Sequence, residues 1–324
     1  MHPTVKASLP EVIDSTIVGE FVACPTKFYW SFCRKLGSLG GSVDLIAGGA
    51  FARGLEVLRK SFYGEKKPLP EALEQGMLAA IAAYGDVAVP TYKETKGVDR
   101  VVSALAAYVE KWNPATDHIQ PVFNADGQPL VEFTFSIPIP VKHPETGNPF
   151  LYAGRFDLVG LYNGQLIGVD EKTTSQLGPT WTNKWNLRGQ FTGYCWALKT
   201  YGHPVVGMVA RGVSFLKNSH GFEESLQMRP QWMLDQWYEQ LIHNVERMVK
   251  AYNDGWFDQD FGETCAAYSG CPFQVLCTSF TPEDWIEGRF GHRDWNPLAK
   301  VPEGKSEAPK VEVVNVLSDL GHLL

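Results

Sequence analysis

Two apolar, strand-like runs meet at Asn163–Gly164. Leu151 to Tyr162 reads LYAGRFDLVGLY, and Gln165 to Thr173 reads QLIGVDEKT. An Asn–Gly dipeptide between such runs is the strongest short-range sign of a two-residue β-hairpin, because the favoured turn needs positive φ at both central residues. A turn of that length sets the register. Tyr162 pairs with Gln165, and each step outward moves one residue along both strands. Asp157 then falls opposite Asp170, with side-chain roots roughly 5 Å apart on one face. Lys172 lies two residues beyond Asp170 and projects from that same face, opposite Arg155. Two facing carboxylates repel each other. A divalent cation between them removes the penalty, and oxygen ligands suit Mg²⁺ or Mn²⁺. An exposed strand face with ordinary surface charges has the same pattern, so the neighbouring chemistry must separate the two readings.

The chain has 324 residues, 44% hydrophobic and 20% charged. That is an ordinary globular composition. No long apolar run suggests a membrane span, and the first residues, MHPTVKASLPEV, lack the pattern of a signal peptide. A cytosolic protein is expected. Its six cysteines then read as ligands or core residues rather than disulfides. A formal charge of −7 argues against a nucleic-acid coat protein. It leaves room for an enzyme with a local basic groove.

Helical periodicity fills the first third of the chain. Ser15–Leu36 reads as helix with a break at Cys24–Pro25. Leu45–Phe62 follows, with Phe51, Leu55, Leu58 and Phe62 on one face. Leu73, Met77, Ile81 and Tyr84 mark a third helix, and Val98 to Trp112 a fourth that stops before Pro114. Leu130–Ile139 alternates like a strand. Beyond the hairpin, Trp185–Thr200 reads as helix, Val205–Phe215 as strand and Pro230–Tyr252 as a long helix. These patterns divide the chain into a helical portion over 1–120, a core over 121–255, a cysteine region over 256–300 and a loose tail over 301–324.

The segment GRFDLVG–LY–NG–QLIGVDEKTT places one acid on the first strand and acid–any–lysine on the second. This resembles the core of the PD-(D/E)XK nuclease superfamily, with Asp157 as the first motif acid and Asp170-Glu171-Lys172 as the second motif. Phe156 stands at the family's proline. Gln190-Phe-Thr-Gly-Tyr194 resembles the QxxxY motif of the RecB-like branch. Gln190 and Tyr194 are four residues apart and share a helix face. The resemblance is strong over about Gly154–Tyr194 and weaker over most of 15–280. It implies an α/β fold with a restriction-endonuclease-like core, a central mixed sheet flanked by helices. One departure stands out. The branch places a metal-binding His in an early helix, in a pattern like GxxxHxxLE. Here GGAFARGLE puts Ala52 at that position and Glu56 at the trailing acid, so a water or Glu56 must fill the imidazole's place.

Cys24 stands alone near the start, while Cys265, Cys271 and Cys277 follow the core with five residues between neighbours. One early and three late cysteines are similar to the iron–sulfur arrangement of the RecB-like branch, which includes AddB and CRISPR-associated end-processing exonucleases. The resemblance implies a [4Fe–4S] cluster that staples the segments flanking the core. A Cys₄ zinc site is the nearest alternative, although the usual close ligand pairs are missing. Buried free thiols are the third reading. Cys33 and Cys195 read as core.

The resemblance implies a metal-dependent DNA exonuclease in recombination, repair or phage replication. Asp157, Asp170 and the backbone carbonyl of Glu171 would hold Mg²⁺ or Mn²⁺. Lys172 would act on the attacking water or the transition state, and Gln190 and Tyr194 would position the strand. Between the motifs lie Trp181, Lys184, Trp185 and Arg188. With Arg155 they form a candidate DNA-contacting set, because interleaved aromatic and basic residues stack bases and hold phosphates. The competing reading is that the tryptophans cover the core. DNA, as ends or single strands, is the expected partner. Any helicase or recombination motor would be a separate chain, because no GxxxxGK[ST] occurs here. The rival function is a catalytically weak or inactive DNA-binding or structural iron–sulfur subunit of a helicase–nuclease complex.

Overall fold

The computed structural model describes residues 7–39, 42–266 and 270–298. The tail expected from 301 onward lies outside them. Along the chain run β1 (Val12–Ile13), α1 (Ser15–Ala23), α2 (Pro25–Phe28), β2 (Leu36–Ser38), α3 (Val43–Arg59), α4 (Leu69–Tyr84) and α5 (Val98–Lys111). Then come β3 (Ile119–Pro121), β4 (Val131–Lys142), β5 (Pro149–Tyr162), β6 (Gln165–Thr174), α6 (Pro179–Asn183), α7 (Gly189–Thr200), β7 (Gly207–Phe215) and β8 (His220–Met228). Last are α8 (Gln231–Asp254), α9 (Gln274–Cys277) and β9 (Phe290–His292). The fold is α/β with a mixed sheet. β5–β6 and β7–β8 are antiparallel, while β6–β7 is parallel. Among the described residues no helix is long and apolar enough to cross a membrane.

The chain divides into two compact units. One takes in residues 42–134 and 155–234 of the described chain. Its core joins α3, α4 and α5 to β7 through Phe51, Leu55, Ala80, Leu105, Tyr108, Val213 and Phe215. β6 and β7 pair in parallel from Ile167↔Gly207 to Thr174↔Ser214. Parallel neighbours need a crossover, and α6 and α7 occupy the intervening chain.

Two helical faces differ from the periodicity. α4 buries Tyr84 and packs Leu73 and Met77 against the core, but its other large apolar residues stay outside. Leu78 and Ile81 are exposed, and Ala72, Gly76 and Ala80 face inward. The cause is the approach of α3: a Cβ on Gly76 would lie 2.7 Å from the Gly54 carbonyl oxygen, and one on Gly54 would lie 3.0 Å from that of Gly76. Only small residues fit such a contact. At the end of α3, Lys60–Gly64 forms a π-helical turn. The wider turn shifts the phase, so Tyr63 is buried in place of Phe62. Its hydroxyl donates to the Pro114 carbonyl at 2.8 Å.

The other unit takes in residues 7–39, 135–154, 235–266 and 270–298. β1 pairs in parallel with β5 at Leu151 and Tyr152. Asp14 caps α1, accepting from the N–H groups of Thr16 and Ile17 at 2.9 and 2.8 Å. The break at Cys24–Pro25 is present, but the second helical stretch ends in a π-helical turn over Tyr29–Cys33 and gives way to β2. β2 pairs with β9 from Leu36↔His292 to Ser38↔Phe290. Thr26 joins sequence-distant segments, with its hydroxyl at 2.8 and 3.0 Å from the carbonyls of Phe257 and Asp258.

Candidate active site

The hairpin turn has φ of +50° at Asn163 and +76° at Gly164, the left-handed pair that Asn–Gly supplies at low cost. Pairing runs from Tyr162↔Gln165 to Leu158↔Val169. One step further, the Asp157 side chain takes over: its Oδ2 accepts the Glu171 N–H at 2.7 Å. The first motif acid is therefore bonded to the peptide between the second acid and the lysine.

Asp170 is only 1% exposed. Its Oδ2 lies 2.7 Å from Lys172 Nζ, and its Oδ1 accepts from the Gln190 amide at 3.3 Å. That amide also donates to the Tyr194 hydroxyl at 3.1 Å, and the hydroxyl accepts the Arg155 N–H at 3.3 Å. Gln190 and Tyr194 thus reach from one face of α7 to both strands of the hairpin. Asp157, Asp170, Lys172, Gln190 and Tyr194 come together in one unit.

The electrostatics follow from enclosure. Burial pushes the Asp157 carboxyl well above its ordinary value, and the charges of Asp170 and Glu171 push it further. Burial also raises Asp170, against the pull of Lys172. For Lys172, burial lowers the pKa, but Asp170 and Asp157 outweigh it, so the ammonium holds its proton more tightly than a free lysine. Burial raises Tyr194 to about 12. Ionising both of these crowded carboxyls beside a single ammonium is costly without a further cation. The donors are hard oxygens, so the residues fit a divalent ion such as Mg²⁺ or Mn²⁺. In this arrangement no three His, Cys, Asp or Glu side chains among the described residues converge into a closed ligand set.

Glu56 is held at 2.6 Å by Arg53 and at 2.5 Å by Lys60, one turn along α3 from Ala52. Lys184 and Arg188 are exposed. Burial depresses the Lys184 pKa, and the charges of Arg188 and Lys172 add to the effect. Arg155 is ion-paired with Glu132 at 2.6 Å. The tryptophans correct the stacking expectation. Trp181 and Trp185 are each 4% exposed. Trp185 stacks on Phe191 at 5.2 Å, and Lys184 covers both indoles at 5.5 and 4.6 Å. Their faces are taken up by protein and offer no open platform to a base.

Several residues escaped the sequence reading. Glu132 is buried, sits at φ +57° and carries charge felt by Asp157. Positive φ at a glutamate has no sequence signature. Arg59, Tyr108 and Arg211 gather on the Glu171 side chain. Arg59 did leave a trace: a cation four residues after Leu55, on the buried stripe of α3.

The four candidate cluster cysteines belong to the other unit. Cys24 is buried, and Cys265, Cys271 and Cys277 are partly so. The Cys271 N–H donates to the Cys265 carbonyl at 2.8 Å. Burial pushes the Cys277 thiol up to about 11, and Cys271, Cys24 and Cys265 each add to the shift. Among the described residues the four thiols do not form a ligand set that could hold a metal. Cys33 and Cys195 are buried, as expected of core residues.

The profile of the PD-(D/E)XK nuclease superfamily matches residues 16–278, and the chain belongs to that superfamily. Among solved structures, a candidate exonuclease from Eubacterium rectale is 10% identical, with a TM-score of 0.46 over 82% of this chain and 92% of that one. The protein SSO0001 is 12% identical, with a TM-score of 0.32 over 74% of this chain and 88% of that one. No curated protein matches.

Proposed function

We propose that the chain is a Mg²⁺- or Mn²⁺-dependent deoxyribonuclease that hydrolyses phosphodiester bonds at DNA ends, acting in recombination, repair or phage replication. The observation that carries this reading is the meeting of Asp157, Asp170 and Lys172, with 2.7 Å between the Asp170 carboxylate and the ammonium. Asp157, Asp170 and the Glu171 carbonyl would hold the ion. When bound, a divalent ion supplies Lewis acidity toward the phosphate and lowers the pKa of a water.

The chain's own residues supply the rest. Lys172, with its ammonium 2.7 Å from Asp170, orients the attacking water or helps deprotonate it, or stabilises the transition state. Gln190 holds Asp170 and Tyr194 in place. Lys184 and Arg188 offer exposed cations for DNA phosphates close to Lys172.

The test is cleavage of end-labelled single and double strands with Mg²⁺ or Mn²⁺. Asp170→Ala and Lys172→Ala should abolish it with the fold intact, and full activity in either variant defeats the assignment. Ala52 at the position of the branch's histidine favours one second reading, a weak or inactive DNA-binding or structural iron–sulfur subunit of a helicase–nuclease complex. DNA binding without cleavage by the wild type would select it.

For Cys24, Cys265, Cys271 and Cys277 we propose a [4Fe–4S] cluster. What supports it is four soft donors, one early and three late in the chain, within one compact unit. Anaerobic purification with an absorbance spectrum and iron assay tests it, and stoichiometric zinc without iron overturns it.

A further inference from the structure

A network of buried charges lies on the far side of β6 from Asp170 and Lys172. Strand alternation sends the Glu171 side chain away from its two neighbours. There its carboxylate, with a side chain 3% exposed, forms a fork with Arg59: Nη1 lies 3.1 Å from Oε2, and Nη2 bonds to Oε1. The Tyr108 hydroxyl donates to Glu171 Oε1 at 2.9 Å and accepts from Arg59 at 3.0 Å and from Arg211 at 3.2 Å. Arg211 is fully buried and stands beside Glu171 in the parallel register. It is held by Asp117 at 2.6 and 2.7 Å and by Glu224, its partner on β8, at 2.9 Å.

Such a network is a costly way to fill a core. Desolvating several charges offsets most of their mutual attraction, and apolar side chains of similar volume often serve stability as well or better. A forked, fully bonded carboxylate does supply positional definition. The Glu171 peptide has particular need of it. Its N–H holds Asp157 at 2.7 Å, and its two neighbours in sequence are Asp170 and Lys172.

We propose that Glu171 is a positioning residue. Clamped from behind by Arg59, Tyr108 and, through Tyr108, Arg211, it fixes the peptide that sets Asp157, Asp170 and Lys172 relative to one another. The inference rests on the nuclease reading of this site. Loosening the clamp lets the peptide shift by a fraction of an ångström, enough to spoil an ion site without unfolding the sheet. Residues that orient metal ligands from behind typically carry about 10–100-fold in metal affinity or activity.

Tyr108→Phe is the cleanest probe. It removes the hydroxyl shared by Arg59, Glu171 and Arg211 and keeps the ring against Phe51 and Trp112. Glu171→Gln is the second probe, and Tyr108→Phe decides if that variant fails to fold. Full-length variants are compared with wild type by circular dichroism, by calorimetric titration with Mn²⁺ and by cleavage kinetics. The expected result is a native spectrum, Mn²⁺ affinity weakened about 10-fold or more, and a kcat lowered in step with that affinity, while KM for DNA stays within about twofold of wild type. Wild-type Mn²⁺ affinity and kcat in folded Tyr108→Phe overturn the proposal while leaving the nuclease reading intact. If the wild type binds Mn²⁺ without cleaving and the variants bind it more weakly, the nuclease reading fails and the positioning role stands. If the wild type binds no Mn²⁺, both fall.

Discussion

Oδ2 of Asp157 accepts the backbone N–H of Glu171 across the β5–β6 hairpin at 2.7 Å. The bond replaces a rung of the ladder with a side chain, just past the last strand pair at Leu158↔Val169. The two motif acids are therefore connected through one peptide, and what moves β6 at this point also moves the Asp157 partner.

Removing one acid should have opposite effects with and without metal. Asp157→Asn keeps an acceptor for Glu171 and removes a charge that Asp170 opposes. In EDTA the variant should melt above wild type. With Mn²⁺ the wild type should gain about 2.7 kcal/mol at one hundred times Kd, or about 2–4 °C for each kcal/mol in a domain of 150–250 residues. The variant should lose most of that gain. Equal Mn²⁺ stabilisation of both proteins, read by scanning calorimetry, would exclude Asp157 as a ligand.

The same pair predicts a pH dependence. A carboxyl whose pKa is raised in the folded state begins to cost stability once pH exceeds its ordinary value; the cost is complete above the raised value and fades as pH falls from the raised value to the ordinary one. Asp157 is of this kind, chiefly through burial and then through Asp170. In metal-free buffer, the advantage of Asp157→Asn over wild type should be greatest at neutral pH and shrink on acidification. Thermal melts between about pH 8 and the ordinary aspartate range measure it. An advantage that grows toward acid would contradict the sign.

Lys184 and Arg188 make separate predictions about DNA. Each residue that holds a phosphate contributes to the salt dependence of binding. Replacing one with Ala should weaken binding evenly across sequences and reduce the log–log salt slope by roughly 1. Titration of a single strand at several salt concentrations reads this. An unchanged slope in the double variant would place the DNA path elsewhere.

Gly76→Ala tests the α3–α4 contact. Its added Cβ would lie 2.7 Å from a backbone oxygen, which cannot swing aside as a flexible side chain can. Overpacking of this kind costs about 1–3 kcal/mol, although alanine is the better helix former. A fall in melting temperature is expected, and a rise would mean that the helices can separate cheaply.

Much of the candidate site was legible because its logic is local. Asn163–Gly164 dictates a turn, the turn dictates register, and alternation puts Asp170 and Lys172 on one face. Gln190 and Tyr194 follow from helical spacing. β8 was missed because HGFEESLQM carries polar residues that gain their partners only beside β7. The expected inward faces of α3 and α4 hold except at Phe62, where a π-turn changed the phase, and at Ile81, on a helix whose glycine contact with α3 turns small residues inward.

The order of residues alone determined the hairpin, the spacing of its acids and lysine, and the motif on the following helix, because each depends on a backbone period of two or 3.6 residues. Tertiary structure decided what no period encodes. It covered Trp181 and Trp185 with protein, brought Arg59, Tyr108 and Arg211 from three distant segments onto Glu171, and set Glu132 at positive φ beside Arg155. Those contacts depend on which elements pack together, and burial assigns their energies only after the chain has closed around them.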